Sequence, residues 1–139
     1  MYTFGKQERL CSKKTIDALF LSGHRLMLFP YSVHWMLCPT GTLPDGVPAQ
    51  VLIATSKKKF HHAVDRNRVK RLTRECYRIH KPKLYEYLNG QGLNIALSIN
   101  YIHNEIFDYH TLNNKFERLT NNLIESIAKQ TAHNGQSDI

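Results

Sequence analysis

The run Ala63-Val64-Asp65-Arg66-Asn67-Arg68-Val69-Lys70-Arg71-Leu72-Thr73-Arg74-Glu75-Cys76-Tyr77-Arg78-Ile79 carries two patterns at once. With Arg66 at zero and a helical step of about 100° per residue, Val69, Leu72, Cys76 and Ile79 fall between about 220° and 300°. Arg66, Lys70, Arg71, Arg74 and Arg78 fall between roughly 0° and 140°. One stripe is apolar and suits packing on a sheet; the opposite stripe is cationic. Arg68 and Glu75 lie on a border, and Asn67 adds a neutral donor and acceptor beside the cations. Like charges at i,i+4 (Arg66, Lys70, Arg74, Arg78) repel by a few tenths of a kcal/mol per pair. A helix that tolerates this repulsion calls for a polyanion to relieve it. The excess of arginine over lysine suits bidentate phosphate contact.

The charge is local. The chain of 139 residues has a net charge of +8. Residues 57–83 hold eleven Lys and Arg against two acids, Asp65 and Glu75, so this segment carries +9 and the remainder −1. Such concentration points to nucleic acid first and a membrane surface second. The membrane reading needs apolar residues flanking the basic face, and none are apparent. No apolar run approaches the roughly 20 residues that span a bilayer. The start, Met1-Tyr2-Thr3-Phe4-Gly5-Lys6, lacks the apolar core of a secretion signal, and the expectation is a cytoplasmic protein.

Outward from the helix, the length suits one domain over 1–130, with a polar, flexible tail over 131–139. Ser12–Leu21 reads as a short amphipathic helix with Ile16, Leu19 and Phe20 on one face, ended by Ser22-Gly23. Tyr31–Cys38 alternates as a strand, with Tyr31, Val33, Trp35 and Leu37 opposite Ser32, His34 and Met36. Thr40–Pro48 is a loop expected to link adjacent antiparallel strands. Gln50–Ser56 is a second strand, and a short third extended piece is expected at Lys57–His61. The basic helix spans Ala63–Leu88 and is broken by Asn89-Gly90-Gln91-Gly92. Leu93–Ile99 is apolar enough to be a central strand. Asp108 caps a final helix whose Leu112, Phe116, Leu119, Leu123 and Ile127 keep core spacing. The pattern is αβββαβα, an α+β sandwich with helices on one four-stranded sheet.

Aromatic residues near the patch, Phe20, Tyr31, Trp35, Phe60 and Tyr77, suit stacking of unpaired RNA bases, although Trp35 and Tyr77 fit the core better. Ser32, His34 and Met36 would line the sheet face opposite Trp35 and could floor an extended nucleic-acid strand. Cys11, Cys38 and Cys76 are too far apart for a metal site and read as reduced, small hydrophobes. His61, His62, His80, His103 and His110 make no zinc pair, and no nucleophile motif is present. These residues describe a noncatalytic RNA binder.

The segment Thr55-Ser56-Lys57-Lys58, followed by Ala63 to Glu75 with its Arg-Asn-Arg-x-x-Lys-Arg-x-x-Arg-Glu spacing, closely resembles the signature of the bacterial ribonuclease P protein component. The resemblance extends to Arg9-Leu10, Phe20, Gly23, the Leu93–Ile99 strand and the final helix, about residues 4–128. It implies an α+β fold with a left-handed βαβ crossover. It also implies a subunit of a ribonucleoprotein endonuclease that removes the 5′ leader of precursor tRNA. In that family the RNA is catalytic and binds most of the Mg²⁺; the protein has no side-chain active site, broadens substrate use and lowers the Mg²⁺ requirement. The implied RNA-binding residues are Arg66, Asn67, Arg68, Lys70, Arg71, Arg74 and Arg78, with Lys57 and Lys58 at the edge of a leader cleft formed by Phe20, Ser32, His34 and Met36. Ile16 stands where many members carry a second aromatic. A general RNA-binding or ribosome-associated module is the competing expectation.

Overall fold

The computed structural model describes residues 5–39 and 41–137. Its elements are a short 3-10 turn Lys6–Glu8, α1 Lys13–Ser22, β1 His24–Leu28, β2 Tyr31–Cys38, β3 Ala49–Thr55, α2 Ala63–Gln91, β4 Asn94–Tyr101 and α3 Tyr109–Ser137. The four strands form one sheet in the order β1-β2-β4-β3. β1 and β2 pair antiparallel, β2 and β4 pair antiparallel, and β3 and β4 pair parallel. The parallel pair is joined through α2, which makes the βαβ crossover.

The order αβββαβα holds, with one strand exchanged. Lys57–His61 is not extended: the Ser56 carbonyl accepts from the Lys59 and Phe60 amides, which closes a tight turn. The third strand is β1, a hairpin partner of β2. Its sequence, His24-Arg25-Leu26-Met27-Leu28, shows little alternation because it lies at the sheet edge and none of its residues is fully buried. The 40–48 loop also does not join neighbours, because β4 inserts between β2 and β3. Only a long-range pairing could show this. β4 is central, in keeping with its apolar sequence, and its residues from Ile95 to Ile99 are buried.

The two sheet faces differ. Tyr31, Val33 and Trp35 of β2, Val51 of β3 and Ile95, Leu97 and Ile99 of β4 pack with α2 and α3 into the main core. Leu112, Phe116, Leu119, Leu123 and Ile127 from α3 all enter it. Two hydroxyl contacts, one buried and one partly buried, fix this layer: Tyr31 Oη and Thr73 Oγ1 lie 2.8 Å apart, and Trp35 Nε1 donates to Ser126 Oγ at 3.2 Å. α1 covers part of the other face, where Leu10, Leu19 and Ala96 are buried and Ile16, Met36, Cys38 and Leu52 pack around them.

Caps set the helix ends. Ser12 Oγ accepts from the Thr15 amide at 3.3 Å, and Asp108 Oδ1 accepts from the Thr111 amide at 2.8 Å. These side chains satisfy amides that a first helical turn leaves unpaired. α2 runs to Gln91, past the expected stop at Leu88, and ends at Gly92 in the left-handed region with φ 65°. A glycine adopts that conformation without a steric penalty. α3 continues past Thr131 to Ser137, and Thr131 Oγ1 donates to the Ile127 carbonyl at 2.9 Å. Residues 1–4 of the expected domain, Thr40 of the loop and residues 138–139 of the tail lie outside the described residues.

Candidate nucleic-acid interface

The buried side of α2 is Val69, Thr73, Cys76, Tyr77, Lys81, Leu84 and Leu88. This stripe is rotated from the one expected from hydropathy. Leu72 is only half-buried and Ile79 is exposed, whereas Thr73 and Tyr77 are inside. Thr73 enters the core because its hydroxyl is satisfied there: it donates to the Val69 carbonyl at 2.9 Å and meets the Tyr31 hydroxyl. Hydropathy treats threonine as polar and cannot register that pairing.

The rotation reassigns the cations. Asn67, Arg68, Arg71 and Arg74 are exposed, and Arg78 is half-exposed. They occupy roughly 80° to 200° on the same helical scale. Arg68, expected at a border, therefore lies in the solvent face. Arg78 Nη2 meets Glu75 Oε2 at 2.8 Å, which raises the Arg78 pKa further. Arg66 and Lys70 are half-buried. Arg66 Nη1 donates to the carbonyls of Phe60 at 2.8 Å and His61 at 2.9 Å, so it braces the loop that leads into the helix. Lys81 is buried and bonded to Glu8, which removes its charge from the surface. Arg74 shares a groove with Arg9, Leu10, Cys11 and the β3 residues Val51, Leu52 and Ile53. Arg9 was not among the expected RNA-binding residues; only the β-bridge between Arg9 and Val51 brings it there.

The second candidate surface is the sheet face that α1 leaves partly open. The strand registers place Arg25 beside His34 and Met27 beside Ser32 on one side. Ser98 lies beside His34 and Asn100 beside Ser32 on the other. Ala54 and Leu52 continue the surface onto β3. Phe20 stands at the wall, 46% exposed, with its ring centroid 4.8 Å from that of His34. Asn100 Nδ2 donates to the Ser32 carbonyl at 3.1 Å, and Ser98 Oγ meets Asn100 Oδ1 at 3.2 Å. His34 Nδ1 is buried and has no hydrogen-bond partner among the described residues. Burial, and then the charge of Arg25, lower the His34 pKa, which favours the neutral ring.

Phe20 and His34 therefore meet in one cleft, and Ser32 lies buried in its floor at 5% exposure. Met36, on the same face and partly buried, packs against the α1 contact with Ile16 and Leu52. Ile16, in the place of an aromatic, fills this apolar contact. Arg25, Met27 and Asn100 are cleft residues absent from the sequence-based expectation, and Ser98 lies fully buried beneath them. Their signal is the cross-strand register, which depends on knowing that β2 lies between β1 and β4. Lys57 and Lys58 are exposed in the turn after β3, at the Thr55–Tyr101 end of the sheet. Of the aromatic candidates, Tyr31, Trp35, Phe60 and Tyr77 are buried, and only Phe20 is exposed. Among the described residues, no helix is long and apolar enough to cross a membrane.

The family model described as Ribonuclease P matches residues 4–129. The chain is 31% identical over 118 residues to the ribonuclease P protein component of Porphyromonas gingivalis strain ATCC 33277, covering 84% of each chain. It is 30% identical over 125 residues to that of Chlorobium phaeobacteroides, covering 85% of this chain and 86% of the relative. Two solved structures share the fold at 20% identity. The Staphylococcus aureus RNase P protein has a TM-score of 0.57 over 88% of this chain and 95% of that one. The Thermotoga maritima RNase P protein has a TM-score of 0.58 over 81% and 94%.

Proposed function

The chain belongs to the ribonuclease P protein family, and from that premise we propose how its two surfaces divide the work of the holoenzyme. It is the protein component of an RNA-based endonuclease in tRNA 5′ processing, and its partner is the RNA subunit. The exposed face of α2, with Asn67, Arg68, Arg71, Arg74 and Arg78, docks on phosphates of that RNA. Arg66 and Lys70 support this face from its border, and Lys57 and Lys58 extend it toward the cleft. The cleft of Phe20, Ser32 and His34 holds the single-stranded 5′ leader of precursor tRNA. Its new members Arg25 and Asn100 supply one cation and one polar group, with Ser98 buried beneath them.

The observation that carries this reading is the separation of the two surfaces. α2 packs on one face of the sheet and the cleft opens on the other. One protein can therefore hold the catalytic RNA and the leader together. Chemistry belongs to the RNA and its Mg²⁺; the protein contributes positive charge and position. Neutralising phosphates near the junction lowers the Mg²⁺ needed to bring two RNAs together. A neutral His34 ring beside Phe20 suits an unpaired base better than a phosphate.

Reconstitution with the RNA subunit from the same organism tests the proposal, scored on 5′ leader cleavage at low Mg²⁺. The protein alone should not cleave, and cleavage should appear when both components are present. Cleavage by the protein alone, or no stimulation of the RNA, would overturn it. RNA affinity without stimulation would favour a general RNA-binding module.

A further inference from the structure

A group of three rings lies beyond the cleft, on residues outside the surfaces described above. Phe29 stands in the turn between β1 and β2, and His103 and Phe107 lie in the connection from β4 to α3. The ring centroids of Phe29 and His103 are 5.0 Å apart, those of His103 and Phe107 4.9 Å, and those of Phe29 and Phe107 6.2 Å. The group is held in place from below. Tyr101 Oη donates to the Glu105 carbonyl at 2.7 Å and accepts from the Phe107 amide at 3.1 Å, and the Ile102 amide donates to the Pro30 carbonyl at 2.8 Å. Yet Phe29 remains 47% exposed. A large apolar ring fixed by its neighbours and left open to solvent is a poor use of a core residue.

Its position indicates what covers it. The cleft floor runs along β2 from His34 through Ser32 toward the Phe29–Pro30 turn. His34 and Phe29 are five residues apart, about 16 Å along a strand. The lysine turn Lys57-Lys58-Lys59 follows Thr55, whose register partner is Tyr101. Tyr101 in turn contacts Phe60, with ring centroids 6.1 Å apart. Aromatic platform and cations thus share one end of the sheet, the end toward which the cleft floor runs. A stacking ring beside a cationic track is the arrangement that holds single-stranded nucleic acid. The exposed Glu105 carboxylate lies 3.7 Å from His103 Nε2.

We propose that Phe29, backed by His103 and Phe107, is a stacking platform for an unpaired RNA base just beyond the end of the cleft. The proposal rests on the RNA-binding reading above. The base can come from the distal part of a long leader or from an unpaired segment of the RNA subunit, since both present the same π face and phosphate.

The test uses the reconstituted holoenzyme with precursor tRNAs carrying a leader that ends within the cleft or one that extends past it. Affinity of the protein for the RNA subunit is measured in parallel. Phe29→Ala should weaken one of these interactions by roughly tenfold or more, and Phe29→Trp should retain it. A loss confined to the long leader assigns the base to the leader; a loss confined to the RNA subunit assigns it there. No loss in any arm overturns the platform. Should Phe29→Ala fail to fold, the wild-type protein is compared on RNAs made abasic in the distal leader or in the segment that Phe29→Trp protects. Equal affinity for intact and abasic RNAs overturns the proposal. If the wild-type protein neither binds the RNA subunit nor stimulates cleavage, the parent reading itself has failed.

Discussion

The Arg66 guanidinium donates from Nη1 to the Phe60 carbonyl at 2.8 Å, so the first cation of the basic helix is a brace for the loop before it. Arg66→Ala should therefore cost stability, about 1–2 kcal/mol, because a charge-assisted bond is lost and two carbonyls are left to water. Arg66→Lys should recover only part of it, since an ammonium cannot reproduce the planar fork. Urea unfolding measures both. An Arg66→Ala midpoint equal to that of the wild type would remove the brace.

Arg71→Ala and Arg74→Ala should behave in the opposite way. Both side chains are exposed, and neither variant should change the thermal midpoint. Each should make the salt dependence of affinity for the RNA subunit shallower by about 0.7 in log K against log salt. An unchanged slope in both variants would mean that these arginines do not meet phosphate.

Phe20→Ala should weaken holoenzyme binding of precursor tRNA by roughly 5- to 100-fold, as expected for one lost base stack, and leave binding of mature tRNA unchanged. His34→Phe keeps a ring beside Phe20 but removes both ring nitrogens. It should reduce discrimination among leader bases more than overall affinity. Competition binding with leader variants checks both outcomes, and equal losses for mature tRNA would place the effect outside the cleft.

Glu8 and Lys81 form a buried pair at 2.5 Å, and Glu8 also accepts from the Tyr85 hydroxyl at 2.7 Å. Burial raises the Glu8 pKa, but the bonds from Lys81, Tyr85 and the Gly5 amide outweigh it and hold the carboxyl below its usual value. A depressed carboxyl stabilises the fold above its unfolded pKa of about 4.3, and that contribution is lost as pH falls through the lower folded value. Below about pH 4.3 the wild type should therefore lose stability more steeply than Glu8→Gln. Lys81→Met leaves the carboxylate buried without its cation and should cost about 3–5 kcal/mol at neutral pH. Denaturant midpoints across pH read both, and parallel pH profiles for the wild type and Glu8→Gln would contradict the assignment.

Gly23→Ala should destabilise the protein by about 1–3 kcal/mol. A Cβ at this position would lie 2.4 Å from the Leu19 carbonyl oxygen and 3.1 Å from that of Trp35. The strain acts where α1 turns into β1, so leader affinity should fall along with the melting temperature. A stable variant with normal leader binding would show that the α1 end has room to shift.

The sequence by itself determined the parts of this protein that are governed by local physics. Ser12 and Asp108 cap their helices, β4 is apolar because both its faces are covered, and α3 keeps its core spacing. The basic run from Arg66 to Arg78 fixes a cationic helix, because charge density and spacing depend only on neighbours along the chain. The tertiary structure decided what depends on partners distant in sequence. It replaced the expected strand at Lys57–His61 with β1, an edge strand whose weak alternation reflects its half-exposed position. It set β4 between β2 and β3, which brings Ser98 and Asn100 beside His34 and Ser32. It rotated α2 so that Thr73, satisfied by Tyr31, goes inside while Arg68 goes out. A hydrogen-bonded hydroxyl in a core and a register between strands are properties of two segments together. Neither can be read from one segment alone.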